Sequence, residues 1–305
     1  MLNILIGAVS LGLLWSVMTT GVFVTYRILD YADLTVEGSI VMGAAIAAKL
    51  ISEGVNPVIA TLVAIVGGMA AGGVTGLLNT KLKIPGLLAG ILSMIALYSI
   101  NIRIMGKANI TLLKSETIFT MVEGLGISGN AGVIAVGTAI IIVIIAFLYW
   151  FFGTEIGCAV RATGDNRKMA RAQGVNTDNM KILALSLSTG VVALSGALIA
   201  QNQCFADMQM GQGAIVIGLA SVIIGEVLFY RHNFLNRLIS IALGAIAYRI
   251  IIACVIEMGM NPLDLKLFTA ITVAIALALP TFKGQIAKAL APLKIFKNKK
   301  KTGAQ

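Results

Sequence analysis

The sequence predicts an all-α fold, a polytopic membrane helix bundle of about nine spans. The composition indicates this first: hydrophobic residues make up 58% of the chain and charged residues 12%, whereas soluble chains are about half apolar and about a quarter charged. The second indication is a mean hydropathy of +0.95, which reflects long uninterrupted apolar runs. Together they exclude an ordinary soluble enzyme, a disordered chain and a disulfide scaffold.

The apolar runs are long enough to be membrane helices, which need about 20 apolar residues. Nine segments qualify, over residues 2–26, 34–52, 57–80, 86–105, 131–152, 182–205, 213–230, 237–257 and 265–282. The first run is longer than a signal-peptide core and follows no Lys or Arg, so we expect it to remain as a membrane helix. The polar stretch 106–130 is expected to be an external loop with a short interfacial helix.

The basic residues predict the orientation, because cytoplasmic loops of membrane proteins are enriched in Lys and Arg. With nine spans, one set of loops and the tail hold 17 of the 23 basic residues, namely Arg27, Lys81, Lys83, Arg161, Arg167, Lys168, Arg171, Lys181, Arg231, Arg237, Lys283, Lys288, Lys294, Lys297, Lys299, Lys300 and Lys301. The opposite side holds 5, namely Lys49, Arg103, Lys107, Lys114 and Lys266. We therefore expect a membrane domain over 1–282, a basic cytoplasmic tail over 283–305 and an N-terminus outside the cell. This bias also accounts for the net charge of +10 without a nucleic-acid partner.

Small residues repeat every four positions on two of the predicted helices. Gly68, Gly72 and Gly76 form one such row, and Ser39, Gly43 and Ala47 form another. In a bilayer, small residues let helix backbones approach closely and gain dispersion contacts. The rows therefore predict helix packing inside the bundle, with contact between subunits as the alternative.

Polar side chains inside the spans are candidates for lining a solute path, because such groups are costly in the membrane. The candidates are Glu37, Ser39, Ser93, Tyr98, Asn101, Ser186, Thr189 and Arg249. The same side chains can instead form hydrogen bonds between helices, so both interpretations stay open. Glu226 lies about one turn from the cytoplasmic end of its span, too far from Arg249 for a direct pair.

The loop over residues 153–181 is too polar to cross the bilayer and too short to be a domain. Asp165 or Thr163 can cap a short basic helix through RKMARAQ, and Gly174 fits the left-handed position that ends it. Asn176, Thr177 or Asp178 can then cap the helix that enters the sixth span. Such a stiff helix can transmit force from a cytoplasmic partner, and an ordinary capped connection is the alternative.

Other sites of chemistry are missing from the sequence. Cys158, Cys204 and Cys254 form no closely spaced ligand pair, and His232 is the single histidine. No G-x-x-x-x-G-K-[ST] phosphate loop occurs, so we expect the chain not to hydrolyse ATP itself. The sequence thus predicts no catalytic, metal or cofactor site. An ion-coupled secondary transporter is the alternative function, although few acids lie at mid-span.

Four stretches of the chain together resemble permeases of the branched-chain amino acid/ribose type of ABC importer. They are the loop RATGDNRKMARAQGVNTDNMK, DLTVEGSIVMGAAIAA over 33–48, TGLLNTKLKIPGLLAGILSMIALYSINIRIMG over 75–106 and QMGQGAIVIGLASVIIGEVLF over 209–229. In particular they are similar to the subgroup of tryptophan/tyrosine transport permeases.

The resemblance implies the partners and the site of coupling. It implies a permease that pairs with a second copy, two cytoplasmic ATPase subunits and an external substrate-binding protein, moving a small polar solute such as an amino acid. The family's coupling helix would correspond to residues 163–175. The residues that would couple to the ATPase are Thr163, Gly164, Asp165, Asn166, Arg167, Ala170, Arg171, Gly174, Val175 and Asn176.

Overall fold

The computed structural model describes residues 2–124, 126–127, 129–229, 233–257 and 267–274, and it confirms the helical membrane bundle. The helices in this part of the chain are α1 (Leu2–Phe23), which continues as a π-helical turn (Val24–Ile28), α2 (Thr35–Ser52), α3 (Pro57–Thr80), α4 (Gly86–Met105), α5 (Ile118–Glu123), α6 (Asn130–Gly153), α7 (Glu155–Asp165), α8 (Arg167–Ala172), α9 (Thr177–Gln203), α10 (Ala214–Phe229) and α11 (Phe234–Glu257). Two short strands, β1 (Asn109–Thr111) and β2 (Phe205–Asp207), pair antiparallel.

Seven helices of the described residues are long and apolar enough to cross a membrane. They are Ile4–Ile28, Thr35–Ser52, Pro57–Thr80, Gly86–Met105, Asn130–Gly153, Thr177–Gln203 and Phe234–Glu257. The predicted count of nine is not confirmed. The seventh predicted span corresponds to the 16-residue α10. The ninth predicted span, 265–282, lies mostly outside the described residues, and its described part, 267–274, is helical.

Helix α9 forms the centre of the bundle, where it contacts α1, α2 and α3. The predicted row of small residues on α3 packs against it, and a Cβ at Gly72 would collide with the Thr189 hydroxyl and the Leu185 carbonyl. On its other side, Ser195 Oγ donates a hydrogen bond of 2.8 Å to the Leu14 carbonyl of α1. Close approach of backbones therefore holds the core together, as the sequence predicted.

The segment between the first two spans, residues 29–34, is not helical and packs against α4. Residues 29–34 run along the start of α4, where Tyr31 Oη donates a hydrogen bond of 2.9 Å to the Gly86 carbonyl. Helix α2 begins next to a buried hydroxyl chain, in which Thr35 Oγ1 lies 3.0 Å from Thr75 Oγ1 and Thr75 donates to Ser93 Oγ at 2.7 Å. These bonds fix the first turn of α2 against α3 and α4.

The bundle has two distinct ends. We call the end that carries α7 and α8 the loop end, and the end that carries β1 and β2 the strand end. At the strand end, the predicted short helix is α5, whose Ile118 N–H donates a hydrogen bond of 3.1 Å to Gln201 Oε1. At the loop end, Glu226 Oε1 accepts hydrogen bonds from Arg237 Nη2 at 2.6 Å and Arg27 Nε at 3.1 Å. The absence of a Glu226–Arg249 pair is in line with the sequence prediction.

Candidate functional site

A cavity of about 360 Å³ lies where α2, α4 and the segment 208–212 meet. It is lined by Glu37, Gly38, Val41, Met94, Ile95, Tyr98, Ser99, Asn101, Met208, Gly211 and Gln212. Three of the path candidates predicted from the sequence, Glu37, Tyr98 and Asn101, therefore come together at one site. The contribution of 208–212 was not predicted, because it depends on the chain folding back against α2 after β2.

Glu37 lies in the first turn of α2 and reaches the beginning of another helix. Its Oε1 accepts a hydrogen bond of 3.0 Å from the Gly213 N–H, directly before α10 starts at Ala214. The N-terminus of a helix carries unpaired N–H groups and a partial positive charge, and both favour a carboxylate. Glu37 thus caps the N-terminal end of α10 and also lines the cavity.

Asn101 supplies the second polar group of the cavity and is 1% exposed. Its Nδ2 donates a hydrogen bond of 3.1 Å to the Gly38 carbonyl, which sets the orientation of the amide. Its Oδ1 is buried and accepts no hydrogen bond from the described part of the chain. A buried acceptor without a donor is costly, so this oxygen can gain substantially from a donor that enters the cavity.

Four other path candidates are engaged within a helix or between helices, and none of them lines this cavity. Ser39 Oγ donates to the Thr35 carbonyl at 2.9 Å, and Ser93 belongs to the hydroxyl chain at the start of α2. Thr189 Oγ1 donates to the Leu185 carbonyl at 2.8 Å, and Ser186 faces α3 beside Gly73. Their contacts are those of structural side chains, and a role along the path stays a prediction.

Arg249 lies apart from the first cavity, in the contact of α1 with α11. Its guanidinium carbon lies 4.2 Å from the centre of the Trp15 ring, a distance that permits a cation–π interaction. It also lines a second cavity of about 330 Å³ beside Gly7, Ala8 and Leu11. The structure therefore separates Arg249 from Glu37.

The predicted polar loop contains two short helices at the loop end. Helix α7 begins after Thr154, whose Oγ1 accepts a hydrogen bond of 3.2 Å from the Gly157 N–H. Helix α8 is capped by Asn166, whose Oδ1 accepts from the Met169 N–H at 3.1 Å. The prediction that Asp165 or Thr163 caps this helix is wrong, because the preceding residues already form α7.

The end of α8 agrees with the sequence prediction. Gly174 has φ of +84°, the left-handed conformation that a glycine adopts at least cost, and the Val175 N–H returns to the Ala170 carbonyl at 3.1 Å. Of the three residues proposed to cap the next helix, Asn176 does so, accepting from the N–H groups of Asp178 and Asn179. Helix α9 therefore starts at Thr177, before the apolar part that was predicted as the span 182–205.

Two arginines attach α8 to the first turn of α9. Arg167 Nη2 and Arg171 Nη2 lie 2.5 Å and 2.9 Å from the same oxygen of Asp178. Arg171 Nε also donates a hydrogen bond of 2.8 Å to Thr177 Oγ1. Residues four apart share one face of a helix, so both side chains can reach this carboxylate. Both arginine side chains are therefore bound within the chain.

Helix α7 packs tightly against the end of the first span at Gly164. A Cβ at Gly164 would overlap the Ile28 carbonyl, so the two backbones are in direct contact. The neighbouring Thr163 is 3% exposed and donates from Oγ1 to the Ala159 carbonyl at 2.7 Å. Of the ten predicted coupling residues, two are buried and three are half-buried, while the exposed ones are Asp165, Asn166, Arg171, Gly174 and Asn176.

Asp33 is a functional candidate that the sequence analysis missed. It lies between the first two spans and is 2% exposed; Oδ1 accepts from the Thr35 N–H at 2.9 Å, while Oδ2 has no partner among the described residues. Burial raises the pKa of this carboxyl above its ordinary value, and the hydrogen bonds from Thr35 offset only part of the rise. Burial, together with the charge of Asp33, likewise raises the pKa of Tyr31. Its position two residues before an apolar run could have indicated a cap.

A bundle of apolar helices that holds a small cavity with a carboxylate and an amide in its wall, and that presents two capped helices at one end, has the architecture of a solute permease. Residues 4–279 match the family described as branched-chain amino acid transport system / permease component. The chain belongs to this family, and it is a multi-pass membrane protein and the permease component of an ABC-type transport system.

The relatives include permeases from different bacteria. The chain is 40% identical to the tyrosine transport system permease protein of Clostridioides difficile, over 97% of this chain and 98% of that protein. It is 32% identical to an uncharacterized protein of Rickettsia prowazekii over 91% of this chain and 98% of the relative. The autoinducer 2 import system permease protein LsrC of Escherichia coli is 30% identical over 64% of this chain and 56% of its own length. No solved structure matches the chain.

Proposed function

We propose that the chain imports a small polar solute, an amino acid, and is powered by a separate ATPase subunit. The observation that carries this proposal is the construction of the loop end, where α8 is bound to α9 by two arginines and α7 contacts the first span. A flexible loop would absorb the motion of a partner, whereas this unit can pass it on to the bundle.

The surface of α7 and α8 that faces away from the bundle is the proposed ATPase contact. Exposed apolar side chains on these helices are Ile156 at 49% and Met169 at 63%, and exposed basic ones are Arg161 and Lys168. Exposed apolar groups with a polar surround are typical of protein interaction sites. The ten predicted coupling residues divide accordingly: those that are buried or bound within the chain, Arg171 among them, hold the unit in place, and the other exposed ones meet the ATPase.

We also propose an orientation of the bundle in the membrane, based on the basic residues of the loop end. The loop end holds most of the basic residues of the described loops, so we place it in the cytoplasm together with the basic tail 283–305. The N-terminus of α1 then lies outside the cell, next to the start of α6, where Ser10 Oγ lies 3.4 Å from the Asn130 carbonyl. The strand end is proposed to meet an external substrate-binding protein.

We base the proposed cargo on a relative and the proposed assembly on the family resemblance. A relative with 40% identity is a tyrosine transport permease, and we propose tyrosine as the first amino acid to test on this chain. We also propose that two copies of the chain form the transport path, since the family resemblance implies a permease that pairs with a second copy.

The test is purification of the tagged chain from its native membrane in mild detergent, followed by mass spectrometry and reconstitution in proteoliposomes. We expect a stoichiometric soluble ATPase to co-purify and labelled tyrosine uptake to require ATP. The matched control contains the same proteins with ADP. Uptake by the permease alone, without ATP, would instead establish the ion-coupled alternative.

A further inference from the structure

We propose that the cavity between α2, α4 and the segment 208–212 binds the ammonium group of an amino acid, with Glu37 and Asn101 accepting its hydrogen bonds. This inference rests on the proposed function, because it assigns part of the solute to a particular place on the path.

The charge of the cavity is the first argument. Glu37 is the one charged side chain in the described lining, which contains no Lys or Arg. Its Oε1 is held by the Gly213 N–H, and its Oε2 receives no hydrogen bond from the described part of the chain. A carboxylate fixed at a helix N-terminus keeps its position and retains one oxygen for a cation.

The unpartnered oxygen of Asn101 is the second, independent argument. The side chain is 1% exposed and lines the cavity, and its amide orientation is set by the bond from Nδ2 to the Gly38 carbonyl. Oδ1 has no donor among the described residues, so it is the acceptor that we propose for a ligand N–H. A primary ammonium group carries three donors and no acceptor, so it suits a site that offers two acceptor oxygens.

The rest of the lining fits the remainder of an amino acid. Tyr98, Met94 and Met208 supply aromatic and apolar surface, and the volume of about 360 Å³ falls within the range of about 300–1,000 Å³ for small-molecule sites. The lining contains no cationic side chain for the solute carboxylate. The cavity should therefore discriminate by the presence of the amine and tolerate the loss of the carboxylate.

Three probes with the same ring separate these groups: L-tyrosine, tyramine, which lacks the carboxylate, and 3-(4-hydroxyphenyl)propionate, which lacks the amine. Binding of each to the full permease in lipid nanodiscs would be measured as a dissociation constant. We expect tyrosine and tyramine to bind about tenfold or more tightly than the propionate, since a hydrogen bond to a charged group has a large effect.

The variants assign the effect to the carboxylate. Glu37→Gln keeps an oxygen that can accept from Gly213, so it should fold and lose only the preference for the two amines. Glu37→Asp keeps the charge and should retain the preference. Glu53→Gln is the matched control, because Glu53 is exposed and pairs with Lys49 at 2.9 Å outside the cavity.

Several outcomes would overturn the inference. Equal affinity of the native protein for all three probes would do so, as would an equal loss for all three in Glu37→Gln, which indicates a merely structural role. Sodium binding that depends on Glu37, without amine binding, would make the cavity an inorganic cation site. Failure of the proposed function itself is seen separately, as the absence of ATP-dependent uptake by the native complex.

Discussion

Replacing Gly72 by Ala tests whether close packing of α3 on α9 holds the bundle together. The added Cβ would overlap the Thr189 hydroxyl and the Leu185 carbonyl. That hydroxyl already donates to the same carbonyl at 2.8 Å, and the carbonyl belongs to the backbone, so neither can move away easily. Overpacking of this kind costs about 1–3 kcal/mol.

Gly73→Ala is the matched control on the same turn of the same helix. Its Cβ would meet only the Ser186 hydroxyl, at 3.2 Å, and that flexible side chain can turn aside. Replacing Gly by Ala inside a helix stabilises the helix by about 0.5–1 kcal/mol. This gain is the same in both variants and cancels in the comparison. We therefore expect Gly72→Ala to be less stable than Gly73→Ala by about 1–3 kcal/mol. The measurement is the free energy of unfolding in mixed detergent micelles, and equal stability of the two variants would refute the packing argument.

Two further predictions concern the loop end and the segment before α2. Changing Arg167 and Arg171 together to Glu should detach α8 from α9 and leave ATPase activity without matching uptake. Changing Lys81 and Lys83 together to Glu reverses two exposed charges between α3 and α4 and should lose less, so equal coupling in the two variants would contradict this role. Because folding raises the pKa of Asp33, its contribution to stability falls as the pH rises above the ordinary value of about 4. Asp33→Asn should thus be more stable than the native protein at neutral pH, and its thermal midpoint should depend less on pH. If the midpoint of the variant depends on pH as much as that of the native protein, the argument from the buried carboxyl is wrong.

The sequence was sufficient for the features that depend on local pattern. The period-four spacing of Gly68, Gly72 and Gly76 predicted a packing face because it places small residues on one side of a helix. The helix-ending role of Gly174 was readable because a positive φ at that position favours glycine. The membrane spans followed from apolar length, except where capping residues extend a helix beyond its apolar part, as Asn176 does for α9.

The features that join distant parts of the chain could not be predicted in the same way. Nothing in the pattern around Gly213 indicates that its N–H meets Glu37, since that contact requires the segment after β2 to fold back against α2. Likewise, the sequence around Asp33 is that of an ordinary loop. Only the structure shows that Tyr31 is bonded to Gly86 and that this segment is buried against α4. Sequence reasoning therefore found three members of the cavity individually, but not the cavity.

The loop end and the cavity are connected by one continuous stretch of backbone. Helix α7 contacts Ile28 through Gly164, and the chain then passes the buried Asp33 and Thr35 before it reaches Glu37. The stretch is held by Tyr31 on α4 and by the hydroxyl chain, so it has little freedom to absorb a displacement. If an ATPase moves α7, as proposed, the displacement is therefore directed to the carboxylate that we propose as the ammonium site. Energy from ATP would then act on solute affinity, and changes at Gly164 and at Glu37 should alter transport non-additively, because both act through the same segment.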